Sequence, residues 1–457
     1  MNINIKALAE TALLERQALP PFLGAGAVRP SYDGLGLANV TALALDWLCP
    51  NATCLKGGQL PPFDPTLLGV RAVTDAWQQW QQQGAINHVV MLMMDAFGYD
   101  QLRSLVAMGD IPELATACAS PQAFFMPATT TFPSTTATAL TTAATAHAPA
   151  QHGAVGTMVY LPEVGSAVNL LSWRPVVAGN SSPYSDEQLN SETFLPMSNV
   201  YRRFEEYGLD TGIISLRSLQ KTSLSRMMTT GSQAIEQGFM GYLTPADSFV
   251  RLRDRLSRLD HQNKSFTYCY VPNLDAAAHK YGPLSHNYRA EAAVLDFALK
   301  RELLQPLKGK SDVVLLLVAD HGQVRTHPDK VLWLNHHPEL IKHLFVPVLG
   351  DPRARFLYVK HGREAAVLDY VKQNLSENCV PLAKEEAIAL GLFGLPEQPP
   401  SEAVRDRMGD LILLPRNGWF CPHYTGQTKL PESLPVAGVH GGISRAEMLI
   451  PFLAYRF

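Results

Sequence analysis

Val313-Val-Leu-Leu-Leu-Val-Ala-Asp320-His321 decides the fold: an apolar run without polar alternation, closing on an aspartate and a histidine. A short unbroken run of this kind reads as a strand buried on both faces, as in a parallel sheet covered by helices. His88-Val-Val-Met-Leu-Met-Met-Asp95 and Phe266-Thr-Tyr-Cys-Tyr-Val-Pro-Asn-Leu-Asp275 repeat the pattern. In open α/β sheets, ligands bind beyond the carboxyl ends of the strands. Three aspartates at such ends, two with a histidine beside or shortly after them, point to metal ligands gathered along one sheet edge.

The rest of the chain fits one large α/β core with an insert. At 457 residues it exceeds a minimal domain, and 46% hydrophobic against 17% charged residues excludes a disordered chain. A formal net charge of -3 gives no basic footprint for a nucleic-acid polymer. Residues 1–85 read as amphipathic helices and Pro/Gly turns wrapping the core. The region 347–419 changes rhythm: a strand at Ala354–Lys360, a helix at Glu364–Leu375, an extended piece near Val380, a helix near Glu385 and a strand at Asp410–Leu414. That is the pattern of a small α/β insert, leaving 1–346 and 420–457 as the core. The six cysteines form no C-x-x-C pair; Cys49 and Cys54 are close enough for a disulfide or for chance, and Cys118 and Cys269 read as inert core thiols. The amino terminus lacks a signal-peptide h-region and no stretch reads as membrane-spanning, so a cytoplasmic location is the expectation.

Several segments could carry chemistry. Asp320-His321-Gly322 can face one cation, or its aspartate can cap a turn. Asp275 and His279 share a face if a helical turn starts at Asp275, a carboxylate–imidazole pair suited to zinc. In Gly438-Val-His440-Gly-Gly442, glycines on both sides let the backbone approach closely and the imidazole reach inward. In Thr129-Thr-Thr131-Phe-Pro-Ser134, Pro133 reads as a first-turn helical residue, with Thr131 just ahead at the positive end of the helix. A hydroxyl there, beside a metal, is a candidate nucleophile; the plainer reading is a packed Thr/Ala-rich helix.

In order along the chain, Asp95, Thr131-Phe-Pro133, Asp275-x-x-x-His279, Asp320-His321 and His440 resemble the alkaline phosphatase superfamily, and within it the type I phosphodiesterase/nucleotide pyrophosphatase family. The resemblance runs from about residue 88 to the carboxyl terminus and implies an alkaline-phosphatase-like core with a mostly parallel sheet flanked by helices on both faces. It implies a two-metal site, with zinc first and manganese or another divalent ion as alternatives. Asp95, Asp320 and His321 would hold one metal, which also contacts Thr131; Asp275, His279 and His440 would hold the other. Thr131 would attack phosphorus and form a phosphothreonine. Phe132 and Ser134 would lie against substrate, Ser134 standing where the family often has an asparagine that donates to a phosphate oxygen. His152-Gly153 matches a scaffold element near the site.

The implied substrate is a small phosphate ester or nucleotide, with no polymer, no membrane and an open oligomeric state. A phosphomonoesterase or phosphonate hydrolase on the same core is the alternative; for the phosphomonoesterase, a second phosphate-binding cation could come from Arg174, Lys280 or another loop. Sulfatases need a Cys/Ser-x-Pro-x-Arg stretch, and mutases of the superfamily a serine nucleophile; neither is present at Thr131-Phe-Pro-Ser. A non-catalytic metal-binding module is the remote alternative, opposed by the intact ligand set. Phe97, Tyr160, Trp173 and Tyr281 could stack on a base or simply pack.

Overall fold

Apolar runs become the middle of a seven-stranded sheet. The structure, a computed structural model, describes residues 4–49, 59–177, 182–259, 263–425, 430–431, 434 and 436–457. In chain order its principal strands are β1 (His88–Met94), β2 (Ala123–Thr129), β3 (Asp210–Leu216), β4 (Phe239–Tyr242), β5 (Ser265–Val271) and β6 (Val313–Val318). Next come β7 (Leu349–Asp351), β8 (Ala354–Leu357), β9 (Cys379–Ala383), β10 (Leu411–Pro415) and finally β11 (Leu449–Arg456). The large sheet runs β2-β11-β6-β1-β5-β3-β4, with β11 alone antiparallel to its neighbours β2 and β6. Every residue of β1, β5 and β6 is buried, as expected for strands covered on both faces. Their register places His88 opposite both Ser265 and Val313, so the three strands end close together.

Strands β7 to β10 form a separate antiparallel sheet in the order β7-β8-β10-β9, joined by the Glu364–Asn374 and Lys384–Ala389 helices. Sulfur atoms Cys379 Sγ and Cys421 Sγ lie 3.3 Å apart beside it, a proximity that their 42-residue separation conceals. Cys54 lies outside the described residues. Burial raises the thiols of Cys118 and Cys269 to about 12, in keeping with inert sulfur.

The amino-terminal segment buttresses the end of β2 and the loop that follows it. Ser31 N–H donates to Thr129 Oγ1 at 2.7 Å, and Phe132 N–H donates to Tyr32 Oη at 3.2 Å. Among the described residues, no helix is long and apolar enough to cross a membrane.

Two local expectations need correction. Strand β5 stops at Val271, and Asp275 sits instead in the first turn of the Asn273–Tyr281 helix, because Pro272 ends the ladder and caps that helix. Helix Thr136–Thr145 begins three residues after Pro133, so Pro133 is not in its first turn. The carbonyl of Pro133 is used in a turn that accepts from Thr135 N–H at 2.9 Å, and extended Thr135 is the true N-cap.

Candidate metal centre and nucleophile

Strand ends place the inner carboxylates. Asp95 and Asp320 follow β1 and β6 and are buried. Ala96 takes a left-handed φ of 56°, uncommon for a residue with a Cβ. That turn aims its N–H at Asp320 Oδ1, 3.0 Å away, and the His321 N–H donates to the same oxygen at 2.9 Å. Tyr270 Oη, from β5, donates to Asp95 Oδ2. Asp95 Oδ1 and Asp320 Oδ2 are buried without a hydrogen-bond partner, 3.6 Å and 3.3 Å from His321 Nε2.

The outer side chains come from a helix and a loop. Asp275 and His279 are one helical turn apart, with Asp275 Oδ1 3.4 Å from His279 Nε2. His440 Nε2 lies 3.2 Å from His279 Nε2 and 3.9 Å from Asp275 Oδ1. Its ring stacks on that of His321 at 3.8 Å. Close packing explains the glycines: a Cβ on Gly438 would meet Ala278 O at 2.6 Å, and Gly441 takes φ 112° against Asp351.

A common hydrogen-bond pattern fixes the imidazoles. His279 Nδ1 faces Gly438 O at 2.9 Å, His321 Nδ1 faces Gly322 O at 3.1 Å, and His440 Nδ1 faces Ser134 O at 3.0 Å. A carbonyl can only accept, so each Nδ1 carries the proton and each Nε2 presents a lone pair inward. Two such lone pairs 3.2 Å apart repel unless a cation or proton lies between them.

The electrostatics agree. Burial, then the charges of Asp320 and Asp275, pushes the Asp95 carboxyl well above its usual range. Burial raises Asp320 to about 6 and also raises Asp275. Burial pushes His321 down to about 3 and His440 well below its usual value, so both imidazoles are neutral, the form in which a histidine can donate a lone pair to a cation. Ligand atoms of Asp275, His279 and His440 lie within 4.8 Å of one another, as do those of Asp95, Asp275 and His321. Crowded carboxylates, orphaned oxygens and convergent Nε2 atoms fit divalent cations, and the N/O donor set suits zinc or manganese.

Thr131 is buried, and its flanks touch this cluster on both sides. Thr130 Oγ1 donates to Asp320 O, and Thr136 Oγ1 lies 3.2 Å from His321 Nε2. Ser134 Oγ donates to Gly442 O at 2.7 Å and accepts from Gly441 N–H at 3.2 Å, holding the His440 loop. Phe132 is buried edge-on against Phe393 at 5.2 Å. His152 bonds Thr142 Oγ1 at 2.8 Å within the scaffold. Phe97 and Trp173 are buried and Tyr160 packs against Phe345, whereas Tyr281, Lys280 and Arg174 are exposed.

Supporting residues escaped the sequence reading. Tyr270 bonds Asp95, and Gln323 donates to Asp275 Oδ1. Buried Glu447 accepts from Gly442 N–H at 2.9 Å and from both Arg353 Nε at 3.0 Å and Nη2 at 2.7 Å. Ser444-Arg-Ala-Glu447 is a Ser-x-x-Glu pattern before an apolar strand, a signal that could have exposed Glu447.

The family described as type I phosphodiesterase / nucleotide pyrophosphatase matches residues 89–442. No curated protein matches. Murine ectonucleotide pyrophosphatase / phosphodiesterase 5 is similar in structure, with TM-score 0.56, 16% identity, and coverage of 80% of this chain and 87% of that one. A second murine structure, an inactive threonine-to-alanine variant in complex with AMP, has TM-score 0.57, 16% identity and coverage of 80% and 87%. Phosphonoacetate hydrolase from Sinorhizobium meliloti 1021, in complex with phosphonoformate, has TM-score 0.57 and 18% identity, covering 80% of this chain and 89% of its own.

Proposed function

The chain belongs to the type I phosphodiesterase/nucleotide pyrophosphatase family and is a phosphoric ester hydrolase on an alkaline-phosphatase-like fold; from that premise we propose a two-metal phosphodiesterase acting through Thr131. The observation that carries it is the convergence of three Nε2 lone pairs and two orphaned carboxylate oxygens beside a buried threonine. Asp95, Asp320 and His321 would hold one divalent cation and Asp275, His279 and His440 the other, zinc first and manganese next. When bound, two cations stabilise negative charge on the attacking and leaving oxygens and lower their pKa values.

Thr131 Oγ1 forms a bond to phosphorus as the leaving-group oxygen departs, and its proton passes to solvent. Water then attacks phosphorus and gives up a proton, the Oγ–P bond breaks, Thr131 Oγ1 regains a proton, and the monoester product leaves. Thr130 and Thr136 fix the nucleophile loop against Asp320 and His321, limiting the search for an in-line approach. Ser134 acts here as a tether of the His440 loop, and Phe132 as a packing wedge under the nucleophile. The essential threonine of the murine neighbour supports the nucleophile, and its AMP supports a small phosphate ester as substrate.

Residues 1–346 with 420–457 serve in this reading as the catalytic core, and 347–419 as an inserted subdomain. A phosphonate hydrolase is the second reading, supported by the phosphonoformate complex of a fold neighbour.

The test is a paired rate assay on zinc-loaded protein. Bis(4-nitrophenyl) phosphate should be cleaved at least tenfold faster than 4-nitrophenyl phosphate. The reverse order would favour a monoesterase, and inertness toward both with release of phosphate from phosphonoacetate would favour the second reading.

A further inference from the structure

Tyr268 and Tyr270 lie two residues apart on β5 and so project to the same face of the sheet. Tyr270 bonds Asp95, and Thr136, which contacts His321, stands on the same side. Beyond these two, the sheet continues as an apolar floor that includes Ile213 of β3 and Phe239 of β4. Leu219 and Met228, from the segment ending in the Ser223–Thr229 helix, form the roof. The cavity holds about 180 Å³, with Thr136 and Tyr270 at the end that adjoins the candidate metal centre.

Its lining is chemically one-sided. Among the described residues, no charged side chain lines it, and its polar side chains are hydroxyls, with no amide among them. Several of those hydroxyls are already used: Thr222 Oγ1 donates to Leu219 O at 3.0 Å, and Thr229 Oγ1 donates to Ser225 O at 2.7 Å. A nucleobase entering here would lose water from several donors and acceptors and meet only scattered hydroxyls in return, with no amide or charged group to pair with its edge. An alkyl chain or single ring would lose nothing of the kind, and a dry cavity of about 150 Å³ accommodates benzene.

We infer that this cavity takes an apolar substituent of the phosphate substrate, the size of a short alkyl chain or one aromatic ring. The inference rests on the phosphodiesterase reading and sharpens it. The preferred ester is a small alkyl or aryl phosphodiester, with a nucleotide as the poorer substrate.

Binding tests this without turnover. Hexyl phosphate, methyl phosphate and thymidine 5'-monophosphate would be titrated calorimetrically into zinc-loaded protein carrying Thr131→Ala. Hexyl phosphate should bind at least tenfold tighter than methyl phosphate. Met228→Trp and Leu219→Trp, each placing a larger side chain in the roof, should cut that advantage below threefold while methyl phosphate binds as before, which also verifies folding. Equal affinity for the two alkyl phosphates, an advantage that survives both tryptophans, or tighter binding of the nucleotide overturns the inference. Hydrolysis of bis(4-nitrophenyl) phosphate by the parent protein reports separately on the underlying reading, so either can fail alone.

Discussion

Asp320 and His321 at the inner end of the candidate centre have 0% exposed side chains and Asp95 has 2%, whereas Asp275, His279 and His440 keep 19%, 33% and 11%. The inner side chains hang from ends of adjacent parallel strands and are fixed by backbone amides and Tyr270. The outer ones hang from a short helix and a glycine loop, fixed by single contacts to Gly438, Ser134 and Gln323. Rigid fold geometry therefore presets one half of the centre, while the other half depends on tethers that a single substitution can cut. Metal retention should differ between the halves accordingly.

Asp320→Asn attacks the preset half and should have the larger effect. It removes a charge from the inner group and replaces an oxygen with a donor facing Asp95. Zinc content measured by elemental analysis should fall by at least one equivalent, with activity down on the order of 10³-fold or more. Retention of both equivalents would sink the inner assignment. His440→Ala cuts the outer half; one equivalent should be lost while the Tm of the chelator-treated protein moves little. Loss of both metals together would break the proposed independence of the halves. Gln323→Leu is the mildest, since it removes only the support of Asp275. Zinc affinity at the outer position should weaken roughly 10–100-fold, the usual cost of losing an outer hydrogen bond to a ligand. An unchanged zinc titration would show that Gln323 plays no part.

The same contrast governs what could be read in the sequence. Asp95, Asp320 and His321 were legible because an apolar run has an end, and the carboxyl end of a parallel strand is where ligands gather. Helix spacing gave Asp275 with His279, although β5 closes four residues earlier than its apolar look implied, because Pro272 starts a helix. The strand and helix order of 347–419 followed from alternation and composition, and its antiparallel sheet emerged only in three dimensions. Pro133 misled, since its place in a turn is set by Ser134 bonding to Gly441 and Gly442, more than 300 residues away. Gln323, Tyr270 and Arg353 support the cluster through contacts that local spacing does not encode. The apolar cavity draws its walls from several separated segments, none of which carries a motif.

The central claim is that Thr131 Oγ1 performs the chemistry beside two bound cations. The most direct measurement is kcat for bis(4-nitrophenyl) phosphate with Thr131→Ala, alongside zinc content on the same sample. The account predicts a fall of about 10³-fold or more with two equivalents of zinc retained, the signature of a lost nucleophile in an intact centre. A variant that keeps its zinc and turns over within tenfold of the parent would contradict it.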